Sequence, residues 1–576
     1  MALLASLLAA CGATALLAEA TISDGLDWMD LLRCGLIFVT TGWLAWGAAL
    51  AFTGLAPMRR RGPLPAPVDG PPPRSVILIP ICNEDAVECF ARVSAMAHSV
   101  QAAGVEADFA ILSDTSDVVA ARKEREAFAR LRAEAEGVAR IYYRRRTDNK
   151  GRKAGNVEEF FRTSGAAYDY AVILDADSLM EGAAIREMIA RMQADPDLGL
   201  LQTLPKVIAA RSFFGRAMQF SAGFHAPVFT RGLARMQGVT GPFWGHNAIV
   251  RVRAFAQSCA LPELTGKPPF GGHILSHDYV EAALLARAGW KVEVDGSIDG
   301  SYEEGPENVL SFAKRDRRWC QGNLQHSRLL FAPGLAGWSR FVFLQGIFAY
   351  IVSLVWAVFL IASVVAAMIT PEPNYFPEPY QLFPAFPDDH TRELATLALG
   401  IVGLLILPKF AVLAEAALSG RVRGFGGTLR ALGSVVVEIL LTSILAPIMM
   451  LYQSRAVLQV ASGQDGGWPA NARGEGRLTL TQALRAAFWV AVVGGIAYAA
   501  TLYLSPALAP WLLPVCLPMM AGPAVIAWSS QPIGRSLFTV PEERDTPPVV
   551  ATYRATLADW TAPAEDLGAT EARDAA

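Results

Sequence analysis

The chain has 576 residues, 53% of them hydrophobic and only 18% charged, with a mean hydropathy of +0.31. A soluble domain carries about 25% charged residues, so the composition calls for membrane-spanning segments. The net charge of -3 provides no basic footprint for nucleic acid, and none of the seven cysteines falls in a CxxC, which argues against both a disulfide framework and a zinc site.

Residues 1–19 and 29–57 are apolar runs. The first lacks the basic start of a signal peptide, so residues 1–57 are expected to form two transmembrane helices. The stretch "MRRRGPLPAPVDGPPPR" (58–74) is basic and then Pro-rich, a stiff linker whose Arg59, Arg60 and Arg61 put that side in the cytoplasm.

Residues 75–336 hold no spanning segment. "SVILIPI" (75–81), "DFAILSD" (108–114), "AVILDAD" (171–177) and "LGLLQTL" (198–204) read as strands. The amphipathic 84–103 and the charged 118–138 fall between them. That order predicts an α/β domain with a mostly parallel sheet and helices on both faces. Ligands bind such sheets beyond the carboxyl ends of the strands. Asn83, Asp114, and the pair Asp175 and Asp177 lie at those ends.

Two carboxylates spaced DxD offer oxygen ligands to a divalent cation such as Mg²⁺, which itself takes up substrate phosphates. The motif is weak alone, because acids also cap strand ends. "PICNED" (80–85) follows the first strand. "NKGRKAGN" (149–156) supplies Lys150, Arg152 and Lys153, either a solvated turn or a phosphate-neutralising loop. "GPFWGHNAIVR" (241–251) contains Trp244 and His246, and a lone histidine is more often structural. Asp278 in "LSHDYVEAALL" (275–285) begins a helix, where an N-cap is the alternative role. "RDRRWCQGN" (315–323) brings Arg315, Arg317, Arg318 and Trp319 to the membrane edge, where such residues also snorkel.

Apolar runs then recur at 340–370, 394–418, 431–460, 483–504 and 507–528. The connector 371–393 suits the outside. Arg421, Arg423 and Arg430 put 419–430 in the cytoplasm. The run 431–460 is too long for one span and too short for two, so a hairpin or re-entrant element bent near Pro447 is expected. The total is then about eight crossings, or seven if that run crosses once. The C-terminal transmembrane region covers 337–529 with a cytoplasmic loop at about 461–482. The polar, Ala-rich tail 530–576 is expected to be flexible.

The series "PICNED", Asp114, "KAGN", DxD, "GHN", "HD" and "RW" resembles the membrane-embedded family-2 glycosyltransferases, kin of cellulose and hyaluronan synthases. "GHNAIVR", "SHDYVEAALL", "RDRRWCQGNLQH" and "LAPIMMLYQSR" (445–455) resemble the synthases of osmoregulated periplasmic glucan. The resemblance implies a GT-A-like cytoplasmic domain inserted between α-helical transmembrane segments of the bacterial inner membrane. It implies processive, inverting transfer from UDP-glucose, with Mg²⁺ or Mn²⁺ as cofactor, building a β-1,2-linked glucan delivered to the periplasm. Asp114, Lys153, Asp175, Arg315 and Arg318 would bind UDP. Asp175 and Asp177 would hold the metal. Asp278 would be the general base, and Trp319, Trp244 and His246 would meet the acceptor. The partners implied are the growing glucan, the lipid bilayer, acyl carrier protein and periplasmic glucan-modifying proteins. Two features depart from the family: Arg315 stands where relatives carry Gln in QxxRW, and no FxVTxK gating loop is present, though "GQDGGWPANARGEG" (463–476) occupies a suitable place. Other readings are a synthase of another β-glycan such as cellulose, a lipid-linked sugar transferase, or a transporter with a regulatory soluble domain.

Overall fold

The first two helices follow from their sequences. α1 (Ala2–Thr21) and α2 (Trp28–Leu55) are apolar throughout, and a reciprocal capping box between Asp27 and Asp30 starts α2. This computed structural model describes residues 1–21, 27–56, 71–369, 375–376, 380–384, 390–465 and 476–562. The expectations placed on Arg59 to Arg61, on most of the connector 371–393 and on 466–475 of the 463–476 loop lie outside the described residues.

Strands β1 (Ser75–Ile81), β2 (Ala107–Ser113), β3 (Ile141–Arg145), β4 (Tyr170–Ile173), β5 (Leu179–Met180), β6 (Leu198–Thr203), β7 (Lys206–Ile208), β8 (Ala248–Arg251), β9 (Lys291–Asp295) and β10 (Ser301–Glu304) form two sheets. The larger has the order β3-β2-β1-β4-β8-β6-β9 and is parallel except at β8, which runs against both β4 and β6. The smaller is β5-β10-β7. All residues of β1 and β6 are buried, as a sheet covered on both faces requires.

Each face has its own helices: α3 (Ala86–Ala102), α4 (Val118–Glu134) and α6 (Gly182–Ala194) on one, α5 (Arg152–Ser164) on the other. β1 shows the alternation directly. Ile77, Ile79 and Ile81 pack with Phe90, Met96 and Met188, whereas Val76 and Leu78 pack with Val157 and Phe160. Asp85 caps α3 and Asp117 caps α4, so both helices begin at the carboxyl edge of the sheet.

α7 (Phe213–Phe224) and α8 (Ala226–Gln237) lead to the membrane side of the domain. α8 crosses α2 with almost no separation. A Cβ on Gly54 would lie 1.9 Å from the Val228 carbonyl oxygen, and one on Gly232 would lie 1.9 Å from that of Leu50. Small residues allow this approach, as they do between membrane helices. After α9 (Val252–Ser258) and α10 (His277–Arg287), helix α11 (Val309–Gln325) docks on the start of α10. Gly322 abuts Ser276, and His326 Nε2 lies 2.9 Å from the Ser276 carbonyl.

The remaining apolar helices are α12 (Gly337–Ile369), α13 (Thr391–Leu418), α14 (Thr428–Ala461), α15 (Leu480–Leu504), α16 (Ala509–Met520) and α17 (Gly522–Ser529), the last two separated by a 56° bend. The hairpin expected at Pro447 is not present, because α14 runs unbroken through that residue. The length and apolarity of α14 also suit a crossing, but both of its ends contact the α/β domain. Near its start, Ser434 Oγ accepts from the Phe538 backbone N–H at 3.1 Å. Just before it, Arg421 donates to the Phe224 carbonyl at 3.0 Å. Near its end, Gln453 donates to Asp316 at 2.9 Å, and Arg317 donates to Gln459 at 3.2 Å. Both ends therefore lie against the soluble domain. A helix of 34 residues is about 51 Å long, more than a bilayer core needs, and its end contacts run to the α/β domain.

Asn308 donates to the Gly476 carbonyl at 3.3 Å, so α15 also starts on that face. The chain returns after α17, where the Phe213 N–H donates to the Gln531 carbonyl at 2.9 Å. Among the described residues six helices are long and apolar enough to cross a membrane, α1, α2, α12, α13, α14 and α15, and the bent α16–α17 pair makes a seventh, the lower of the two expected counts; the eighth, from a hairpin within 431–460, is absent. The tail expectation is corrected over 530–562, while 563–576 lie outside the described residues. α18 (Pro541–Arg544) and α19 (Pro548–Thr561) are ordered, and Val549, Val550, Tyr553 and Trp560 join the core that holds α3. Their apolar spacing makes an amphipathic helix that the Ala-rich composition conceals.

Candidate active site

Asp175, Lys153, His246 and Asp278 converge at the carboxyl edge. β4 ends at Ile173, and Asp175 to Ser178 form a turn in which Ser178 Oγ accepts from the Asp175 N–H at 2.9 Å. Lys153, in the first turn of α5, donates to Asp175 Oδ1 and, at 2.7 Å, to the Gly245 carbonyl oxygen. Gly245 has φ +87°, and its α-carbon faces Asp278: a Cβ there would lie 3.4 Å from the Asp278 Oδ2. One ammonium therefore links the acidic turn to the backbone that lies against Asp278.

Asp278 is not the cap of its helix. Ser276 occupies the N-cap position, and Asp278 lies in the first turn of α10. Burial raises the Asp278 pKa above the usual aspartate value, partly offset by the neighbouring His277. His277 Nδ1 is 3.0 Å from Glu281. Burial disfavours the His277 imidazolium, but Glu281 and Asp278 outweigh it and raise its pKa.

His246 is more engaged than a lone structural ring. Its Nε2 lies 2.7 Å from Glu303 Oε2, and its Nδ1 is 3.1 Å from the Trp244 carbonyl and 3.7 Å from Asp175 Oδ2. Burial opposes protonation, but Asp175 and Glu303 overcome it and push the pKa up to about 9, so the ring is a cation at neutral pH. Trp244 is half-buried, and its backbone N–H donates to Gln202 at 2.9 Å.

Asp114, just past β2, is buried. Arg146 clamps it through Nε to Oδ1 at 2.5 Å and Nη2 to Oδ2 at 2.7 Å, and Asn156 donates to Oδ1 at 2.8 Å. Asn149 donates to the Asp114 carbonyl at 2.6 Å, while its own Oδ1 is buried without a partner among the described residues. "NKGRKAGN" is thus not a free loop, since its second half is the start of α5.

α11 carries the last group. The Arg315 guanidinium lies over the Trp319 ring, 4.6 Å from its centroid, while Trp319 remains 44% exposed. Arg318 is half-buried on the same helix. The described ends of the 463–476 loop both meet α11, through Arg317 with the Gln464 carbonyl and through Asn308 with Gly476.

Asp175 and Asp177 suit a hard divalent cation. Their donors are all oxygen, and a bound cation would share or displace the Lys153 ammonium that now meets Asp175 Oδ1. No cluster of three or more His, Cys, Asp or Glu converges for a metal among the described residues, so the other ligands would be substrate oxygens and water. The sequence reading missed Arg146, Asn156 and Glu303. "YRRRTDNK" (143–150) and the paired acids of "SYEEGP" (301–306) were the available signals.

The family described as Glycosyl transferase family 2 matches residues 77–258, and Glycosyl transferase family group 2 matches 170–380. Glucans biosynthesis glucosyltransferase H of Cereibacter sphaeroides is 57% identical over 96% of this chain and 94% of its own length. The protein of that name from Rhodopseudomonas palustris (strain TIE-1) is 41% identical over 85% of this chain and 68% of its own. Among solved structures, the mannosyltransferase PcManGT of Pyrobaculum calidifontis, in complex with GDP-Man and Mn²⁺, is 14% identical with a TM-score of 0.44, covering 67% of this chain and 96% of its own.

Proposed function

The chain belongs to the glucans biosynthesis glucosyltransferase H family of glycosyltransferases, and from that premise we propose that it polymerises glucose from UDP-glucose by inverting transfer. It is a multi-pass membrane enzyme of glucan synthesis. In the proposal the soluble domain faces the cytoplasm, the membrane is the bacterial inner membrane, and the product is a β-glucan, β-1,2-linked, passed to the periplasm.

The observation that carries this reading is the Asp175–Lys153–Gly245–Asp278 chain of contacts. It sets a carboxylate of raised pKa beside the cation-holding turn. Asp278 accepts the proton of the acceptor hydroxyl as that oxygen attacks the anomeric carbon. The carbon–oxygen bond to the diphosphate breaks, and the electron pair leaves with UDP. Lys153, Arg318 and the protonated His246 offset the charge that develops there. A divalent cation at Asp175 and Asp177 supplies Lewis-acid neutralisation of the diphosphate when bound. Asp114, oriented by Arg146 and Asn156, faces the nucleoside. Trp319, with Arg315 stacked on it, offers the acceptor sugar a flat apolar plane. With Asp278 as the base, Asp175 and Asp177 given to the cation and Glu303 to His246, the site suits single displacement, so an α-linked donor gives a β-linked product.

Acyl carrier protein and periplasmic glucan-modifying proteins belong to the same proposal as family partners. Purified protein in vesicles, incubated with radiolabelled UDP-glucose and followed by linkage-specific glucanase digestion, tests it. Product sensitive only to a β-1,2-glucanase is expected. Product cleaved by cellulase would instead favour a β-1,4 synthase.

A further inference from the structure

We propose that Arg92 is a positioning residue for the acidic turn and that the C-terminal helix α19 holds it in place. This rests on the reading of Asp175 and Asp177 as the cation-holding pair.

Lys153 reaches the turn from α5, on one face of the sheet. Arg92 reaches it from α3, on the other. Arg92 is only 4% exposed. Its Nη1 faces the carbonyl oxygen of Ala176, the residue between the two aspartates, at 3.5 Å. Its Nη2 donates to Glu304 Oε1 at 2.7 Å. Glu304 follows Glu303, the partner of His246. One guanidinium therefore ties the acidic turn to the strand that carries the imidazole's counter-ion. A cavity of about 390 Å³ adjoins Arg92 and Ala176 and reaches Asn83 and Glu84, so packing alone does not fix this side of the turn.

A buried arginine needs its charge met and its flat face covered. Glu304 and, at 3.7 Å, Glu88 meet the charge. Tyr553 of α19 covers the face, with Cζ 4.8 Å from the ring centroid. α19 is anchored independently. Arg130 lies over Trp560 at 4.9 Å, and Trp560 Nε1 donates to Glu134 at 2.7 Å. The segment leading to α19 is tied to α7 by Arg216 with Glu543 and to β7 by Lys206 with Glu542 at 3.0 Å. An apolar residue at 92 would dock α19 as well. It would lose the bonds to the turn and to Glu304, so the arginine is explained by the site rather than by the docking.

The test uses full-length protein in detergent with UDP present, and reads Mn²⁺ binding by the paramagnetic resonance of the free ion, beside thermal melting and turnover. Arg92→Gln is expected to weaken Mn²⁺ binding about tenfold or more, as loss of a group that orients metal ligands does. Arg92→Lys should restore part of it. Tyr553→Ala should weaken binding in the same direction when measured well below its own melting temperature, which falls because Tyr553 belongs to the core, and Tyr553→Phe, which keeps the ring face and the packing, should restore both. Asp177→Asn separates the two claims. If Asp177→Asn loses Mn²⁺ while Arg92→Gln and Tyr553→Ala bind it like the parent, the positioning role is overturned. If Asp177→Asn itself binds Mn²⁺ like the parent, the cation reading fails instead. Should Arg92→Gln not fold, Tyr553→Ala decides alone.

Discussion

Asp278 is suited to act as a base because of where its helix begins. Ser276 holds the N-cap position, so Asp278 sits in the first turn with its carboxylate against Gly245. Its pKa is raised by burial, and only the deprotonated form accepts a proton. kcat/KM should therefore fall as pH drops through that raised value, with the acid limb above the ordinary aspartate range and a slope of one. Asp278→Asn should keep calorimetric affinity for UDP and lose turnover by about 10²-fold or more. Retained turnover would rule out the base role. Trp319 gives a second test at this scale. Trp319→Ala removes both the stacking plane and the platform under Arg315, so elongation should stop while some UDP-glucose hydrolysis persists. Trp319→Phe should retain short products. Chains of parental length from membrane-inserted Trp319→Ala would make the residue only an interfacial anchor.

At the scale of elements, α14 is the most consequential. With both ends in contact with the α/β domain, it is expected to lie along that domain rather than cross, and so to set the sidedness of everything after it. In a cysteine-free background, Thr428→Cys and Ser462→Cys should both resist an impermeant maleimide in intact cells, as Glu158→Cys in α5 should, whereas Tyr380→Cys should be labelled. Labelling of only one of positions 428 and 462 would make α14 a crossing. The sequence showed part of this. Arg473, Arg477 and Arg485, which follow 431–460, point to a return to the same side, but a straight helix in the interface plane has the same composition as a bent one in the membrane. β1, β2 and β6 were legible because apolar residues fill both faces. β3, "IYYRR", was not, because it is a half-exposed edge strand, and β8 was hidden inside the motif "GHNAIVR". Asp114, Lys153, Asp175 and Asp278 were legible because each ends a strand or starts a helix at the carboxyl edge. Arg146, Glu303 and Arg92 reach the site by side chains from elsewhere in the chain, and only the fold brings them there.

At the scale of the whole molecule, α11 joins the chemistry to the membrane. It abuts α10 through Gly322, holds α14 through Asp316 and Arg317, and runs on through His326 toward α12. Two charges of α13 are paired: Lys409 with Glu438 of α14 at 2.6 Å, and Glu415 with Arg421 at 2.9 Å and Arg231 at 3.5 Å. Such pairing gives no support to a transporter whose soluble domain only regulates it. The central claim is single-displacement glucosyl transfer at Asp278, with the configuration inverted. The most direct measurement is the anomeric proton resonance of the polymer made from UDP-glucose by the purified protein in vesicles. A β-anomeric coupling, absent when Asp278→Asn replaces the parent, is the expected result. An α-anomeric coupling, or equal product from Asp278→Asn, would contradict it.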